Sequence, residues 1–272
     1  MAGFSLCQFN LTMKNIIVSC LIFLLSFSVM ANEKDTTTDT AQDSSTNSVQ
    51  DSSNNSVQDC VIVLHGLGRT AFSMRKIANT LSDDYQVIND SYPSRKYDIA
   101  SLAKIAIDPA LKSCKSAPRI HFVTHSLGGI LVRQYLSQYP IENLGHVVML
   151  GPPNQGSEVV DYFQSYAVPN WFFSKVNGPA GKQLGTKSDS RPIELGAVDF
   201  SLGVIAGTVS YNPLFSNTID DQDDGKVSVS STKIEGMSDH LILPINHTTM
   251  MNDDVAIMQI KHYLQHGAFK RD

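Results

Sequence analysis

Phe122-Val123-Thr124-His125-Ser126-Leu127-Gly128-Gly129 reads as a buried strand that runs straight into a small-residue turn and then a helix, with a serine at the apex. A serine placed there faces the first N–H groups of the helix and the positive end of its dipole, which stabilise developing negative charge. The turn needs small neighbours, and Gly128 and Gly129 supply them. Two readings of Ser126 follow: a nucleophile presented at the top of a sheet, or the N-cap of an ordinary strand–helix joint.

On either side of this stretch, apolar runs alternate with helical patterns. The apolar runs Val61–His65, Gln86–Asn89, Arg119–Thr124, His146–Leu150, Ser201–Ala206 and Leu241–Ile245 predict strands. Helices are expected over Thr70–Leu81, Ile99–Leu111 (closed by Pro109 and Lys112-Ser113), Leu127–Tyr139 and Asp253–Tyr263. Short continuous apolar strands separated by helices imply an α/β fold, with a mostly parallel sheet of about six strands covered on both faces. Right-handed crossovers make it doubly wound or a relative of that topology. Gly151–Val198 carries no strand pattern and is long for a loop, so residues from about 155 to 198 are expected to form a short helical lid.

A nucleophilic serine needs oxyanion donors, a base and an orienting carboxylate. Leu64-His65-Gly66-Leu67-Gly68 follows the first strand, and its glycines let the Leu67 N–H turn toward the serine beside the N–H of Leu127. The acid should follow the penultimate strand, where Asp220-Asp221-Gln222-Asp223-Asp224-Gly225 crowds four carboxylates together. Asp224 is favoured because Gly225 permits the turn that presents it, with Asp221 and Asp223 as alternatives. A calcium loop competes for the same residues. However, Gln222 occupies a ligand place and Ser231 stands where a bidentate Glu belongs, so no metal is assigned. His247, in the loop after the last strand, is the base. His240 is expected to precede that strand at the opposite edge of the sheet, while His125 serves as a structural or pocket-wall residue. The chain order Ser126, Asp224, His247 is that of one particular hydrolase fold.

On these residues the chain resembles the α/β hydrolases, close to their bacterial lipase/esterase branch. The resemblance runs from about Val61 to Tyr263. It rests on His65-Gly66-Leu67-Gly68, Thr124-His125-Ser126-Leu127-Gly128, Gly151-Pro152-Pro153-Asn154-Gln155-Gly156-Ser157, Asp224-Gly225-Lys226-Val227 and Asn246-His247. It implies a serine hydrolase acting on small-molecule or lipid carboxylic esters through an acyl-enzyme, without a cofactor. One departure is Thr124, where the family's elbow usually begins with glycine; a slightly adjusted elbow is expected. The same triad would serve an acyltransferase, and the fold without turnover would be a binding module. The resemblance also makes the first and third strands neighbours, which implies a Cys60–Cys114 disulfide.

The remaining features bear on place and substrate. Lys14, the apolar run Ile16–Met30 and the small residues around Ala31 form a signal-peptide pattern over residues 1–31. The run is shorter than the roughly 20 residues of a spanning helix. An exported, periplasmic or secreted protein is expected, the other reading being an uncleaved anchor. Residues 32–59 are rich in Ser, Thr, Asp, Asn and Gln, and Asn47-Ser48-Val49-Gln50-Asp51 recurs at Asn55-Ser56-Val57-Gln58-Asp59. Such composition predicts a disordered linker before a catalytic domain at 60–272. The formal net charge of −5 argues against nucleic acid as a partner. Tyr162, Phe163, Tyr166, Trp171, Phe172 and Phe173 crowd the lid, and Trp171 and Phe172 are the candidate substrate-binding residues. Aromatics there would suit an acyl-chain groove or transient contact with a lipid surface; a lid helix packed on the core explains them equally well.

Overall fold

Continuous apolar runs bury both faces of a strand, and among the described residues they give a six-stranded, all-parallel sheet. The computed structural model describes residues 57–165, 177–211, 219 and 221–271. The expected signal peptide and nearly all of the linker, together with Tyr166, Trp171, Phe172, Phe173 and Asp220, lie outside them. The strands are β1 (Cys60–Leu64), β2 (Gln86–Ile88), β3 (Ile120–His125), β4 (Leu144–Leu150), β5 (Leu202–Gly207) and β6 (Asp239–Leu243), in the spatial order β2-β1-β3-β4-β5-β6. The register sets Leu64 beside Thr124, Thr124 beside Met149, and Leu150 beside Ile205. The carboxyl ends of β1, β3, β4 and β5 therefore open on one edge.

The two-residue alternation of each strand divides the core between the faces. Ile62, Phe122, Met149 and Val204 pack on one face with helices α2 (Ile99–Ser113) and α3 (Leu127–Leu136). Val61, Val63, Val123, Val148 and Ile205 pack on the other with α1 (Arg75–Leu81) and the terminal helix, Asp254–His266. Fully buried side chains of this size contribute roughly 1.5–3 kcal/mol each. Asp98 caps α2 by accepting from Ser101 N–H at 2.7 Å, and Asp253 caps the terminal helix by accepting from Ala256 N–H at 2.9 Å.

Several elements differ from the sequence reading. Helix α2 runs through Pro109 to Ser113. The bond that proline cannot donate belongs to the carbonyl of Ile105, whose residue is 40% exposed, so water can take it. Strand β6 begins at Asp239, which puts His240 inside the strand, level with Val204, and not before it. Its Nε2 lies 2.9 Å from Thr232 Oγ1. Single helical turns at Arg191–Glu194 and Val229–Thr232 appear where none was expected, being too short to show a period.

In the segment expected as a lid, Glu158–Ser165 (α4) and residues 177–182 are helical. Both ends of this segment meet one buried side chain on α3. Arg133 donates to the Asn154 main-chain oxygen (3.1 Å) and Asn154 Oδ1 (3.2 Å), and to the Pro192 and Gly196 carbonyls (both 2.8 Å). At the other edge of the sheet, Cys60 and Cys114 are bonded with their Cα atoms 5.7 Å apart.

Candidate active site

Strand β3 ends and α3 begins within one residue, and the backbone of Ser126 absorbs the change of direction. Ser126 sits at φ 53° and ψ −120°, and it is the non-glycine residue with positive φ among those described. A helix N-cap has extended backbone and a side chain accepting from the first turn; Ser126 has neither. Its conformation costs of order 1–3 kcal/mol and leaves the partly exposed hydroxyl at the top of the sheet. The Ser126 N–H donates to Leu150 O at 2.9 Å, which holds the turn to β4. Gly128 lets α3 come down onto β1: a Cβ there would fall 2.7 Å from the Leu64 carbonyl oxygen. The elbow forms with Thr124 in the place usually given to glycine. Thr124 is fully buried, and its hydroxyl has no hydrogen-bond partner among the described residues.

The Gly66-Leu67-Gly68 turn lies directly against this elbow. A Cβ on Gly66 would stand 3.3 Å from Ser126 Cβ and 2.7 Å from His125 Nδ1. His65 shapes the turn. Its Nδ1–H donates to Gly66 O (2.9 Å), its Nε2 accepts from Tyr92 N–H (3.2 Å), and its ring stacks on Tyr92 at 4.0 Å. Burial pushes its pKa down to about 4, so it is neutral at physiological pH. The Leu67 N–H has no acceptor among the described residues. Leu127 is the first residue of α3, so its N–H has no intrahelical acceptor. Both donors lie beside Ser126.

Of the acidic cluster, the structure joins Asp224 to the imidazole. Asp224 Oδ2 accepts from His247 Nδ1–H at 2.7 Å, and both side chains are buried. Asp224 Oδ1 accepts from the N–H groups of Lys226 (3.0 Å) and Val227 (2.9 Å), and its carbonyl accepts from His247 N–H (2.8 Å). The other acids shape the loop. Asp221 accepts from Gln222 and Ser230 N–H, and Asp223 from Gly225 N–H. Burial pushes the His247 pKa below its ordinary value, and the Asp224 charge and hydrogen bond push it partly back.

Several residues at this edge carry no sequence signal that separates them from ordinary loop positions. Arg69 Nη2 donates to Thr248 O at 3.0 Å, one residue beyond His247. Lys226, two residues beyond Asp224, is partly buried, and loss of solvent pushes its ammonium down to about 8. Glu158 on α4 accepts from the hydroxyls of Ser228 (2.9 Å) and Ser231 (2.8 Å), tying that helix to the Asp224 loop.

The arrangement sets a carboxylate-backed imidazole and two backbone N–H groups at the edge of the sheet where the Ser126 elbow stands. A family model described as alpha/beta hydrolase fold matches residues 59–196, a span that carries Leu67, Ser126 and Leu127 and stops before Asp224 and His247. Comparison with curated protein sequences found no match. Among solved structures, the chain is similar to the mature form of the Bacillus licheniformis lipase BlEst2, with 15% identity over 77% of this chain and 91% of that one, at a TM-score of 0.57. It is also similar to the phospholipase PlaB from Legionella pneumophila, with 21% identity over 65% of this chain and 45% of that one, at 0.51. A thermophilic esterase from Thermogutta terrifontis shows 12% identity over 78% and 91%, also at 0.51. At these identities the likeness is one of fold.

Proposed function

The chain belongs to the alpha/beta hydrolase fold family, and from that premise we propose that it is an exported serine hydrolase that cleaves carboxylic esters. The observation that carries this reading is the 2.7 Å contact between Asp224 and His247, beside a serine whose backbone is held at φ 53°. With Nδ1–H committed to Asp224, the lone pair of His247 Nε2 is the base. It takes the Ser126 Oγ proton as that oxygen attacks the ester carbonyl carbon. The carbonyl oxygen becomes an oxyanion held by the Leu67 and Leu127 N–H groups. The tetrahedral intermediate collapses to the acyl-enzyme, and the departing alcohol takes its proton from His247. Water, deprotonated by the same nitrogen, then releases the acid and restores Ser126. The scheme uses no cofactor.

Export is supported by Lys14, the apolar run Ile16–Met30 and the small residues around Ala31, together with the Cys60–Cys114 bond, since disulfides persist in oxidising compartments. In this reading Trp171 and Phe172, which lie outside the described residues, are the candidate contacts for the acyl chain.

The test is hydrolysis of 4-nitrophenyl esters from acetyl to palmitoyl by the wild type beside Ser126→Ala. Turnover in the wild type that is lost in the variant is expected, together with covalent labelling of Ser126 by a fluorophosphonate. A folded wild type that neither turns over any ester nor takes the label would overturn the proposal.

A further inference from the structure

The loop that carries His247 is held through its main chain at three successive groups. The His247 N–H donates to Asp224 O at 2.8 Å, the His247 carbonyl accepts from His125 Nε2 at 3.0 Å, and the Thr248 carbonyl accepts from Arg69 Nη2 at 3.0 Å. Asp224 and His125 belong to the acid loop and the elbow. Arg69 belongs to neither and takes no part in the proton transfers proposed above.

Arg69 starts from a fixed point. Its own N–H closes the Gly66-Leu67-Gly68 turn on Gly66 O at 3.2 Å, and Gly68 N–H donates to Ser94 Oγ at 2.9 Å. From there the side chain crosses to a loop 179 residues further along, although β3, β4 and β5 stand between the strands that lead into the two loops. Among the described residues Arg69 makes no ion pair, so the Thr248 carbonyl is what fixes its guanidinium. The far end is stiff as well. Asn246 Oδ1 accepts from the N–H groups of Thr248 and Thr249 at 2.9 and 3.1 Å, so Asn246, His247 and Thr248 turn as one piece. Releasing the Thr248 carbonyl is therefore felt at the His247 ring.

We propose that Arg69 is a positioning residue for the base: anchored on the oxyanion turn, its guanidinium holds the Thr248 peptide and so aims His247 Nε2 at Ser126 Oγ and at the oxygen of the departing alcohol. This rests on the serine-hydrolase reading above and deepens it at the same site. The place of the imidazole matters twice in acylation. Nε2 takes the Ser126 proton, and the resulting N–H then passes that proton to the leaving oxygen as the C–O bond breaks. An alkoxide is too basic to leave without the proton, whereas 4-nitrophenolate leaves without it. A group displaced by about 1 Å costs about 10²-fold in such steps. An ester of a simple alcohol should therefore suffer more than the 4-nitrophenyl ester of the same acid.

The experiment measures kcat/KM for ethyl butyrate and 4-nitrophenyl butyrate with wild type, Arg69→Met and Arg69→Lys. Each rate is divided by the amount of enzyme that a fluorophosphonate labels at completion. Arg69→Met keeps the apolar stem and removes the donors; Arg69→Lys keeps a donor on nearly the same reach. Arg69→Met is expected to lose about 10²-fold on ethyl butyrate and about tenfold on the 4-nitrophenyl ester, which shifts the ratio of the two by about tenfold. Arg69→Lys should recover most of that ratio. If Arg69 serves only to keep the chain folded, the labelled fraction falls while both rates per labelled site stay within about twofold of the wild type, which would overturn the proposal. Equal losses on the two esters would overturn it as well, by placing the effect of Arg69 on the oxyanion turn and not on His247. Both of those outcomes leave the hydrolase reading intact. A wild type that neither turns over these esters nor takes the label removes that reading, and the positioning role with it. Should Arg69→Met fail to fold, Arg69→Gln takes its place in the same assay, since its amide is polar but ends two bonds short of Nη2.

Discussion

His125 donates from Nε2 to the main-chain oxygen of His247 across 3.0 Å, so the residue before the proposed nucleophile holds the loop that carries the proposed base. A carbonyl can only accept, which fixes the His125 proton on Nε2 and leaves Nδ1 bare toward Gly66. That Nδ1 is buried and has no hydrogen-bond partner among the described residues. Burial first, and then the charges of His247, Arg69 and Lys226, hold the His125 pKa well below its ordinary value. The ring is therefore a neutral spacer between the oxyanion turn, the elbow and the His247 loop.

Gly66→Ala tests that spacing. The added methyl would meet His125 Nδ1 at 2.7 Å, so the turn must move and take the Leu67 N–H with it. The expected outcome is a fall in kcat of about 10²-fold, the scale for one lost oxyanion donor, with little change in KM. Steady-state kinetics on a good ester substrate check it; an unchanged kcat would remove Leu67 from the oxyanion site.

The Asp224–His247 pair makes a prediction about pH. Burial, partly offset by Asp224, lowers the His247 pKa from its ordinary 6.5. The neutral ring is the base, so kcat/KM rises with pH through that pKa and reaches its half-maximum below pH 6.5. Asp224→Asn removes the negative charge that favours the imidazolium, so the acid limb moves lower still. It also frees the wrong tautomer, and kcat should drop by about 10⁴-fold. A pH–rate profile whose acid limb sits above 6.5 would contradict the burial seen at His247.

Replacing both Cys60 and Cys114 by Ala should act on stability and not on catalysis. The bond spans a sequence separation of 54, and closing such a loop contributes about 4 kcal/mol in the chain-entropy model. Cys60 and Ile120 are paired at the amino edge, whereas the reaction centre lies beyond Leu64 and Thr124 at the other end of the same strands. Urea unfolding should show the loss, with kcat within about twofold of the wild type. A large fall in kcat with the fold intact would mean that the two edges are coupled.

The strands were legible because a parallel strand covered on both faces is a continuous apolar run, as in Val61–Leu64 and Ile120–Val123. The serine elbow was legible because the strand, the apex serine and Gly128 must be consecutive. Contacts that depend on where loops meet were not. Gly225 tilted the choice among Asp221, Asp223 and Asp224 toward Asp224, but only the loop's path back to His247 joins that carboxylate to the ring. Arg69 reads as an ordinary loop cation until Thr248 is seen beside it. The first residues of β6 were missed because Asp239 is polar and is held there by Phe269 N–H and Arg271, more than two dozen residues away.

The grip of Arg133 on Asn154 at one end, and on Pro192 and Gly196 at the other, has a practical consequence for redesign. A single guanidinium on the helix that follows Ser126 fastens the chain at Asn154 and again at Pro192 and Gly196, so both anchors share one clasp. New sequence can be grafted between those anchors while the clasp holds the graft's ends against the helix that follows Ser126. The one exchange such a programme must avoid is at Arg133 itself, whose loss would strand the buried Asn154 and Pro192 carbonyls at both junctions at once.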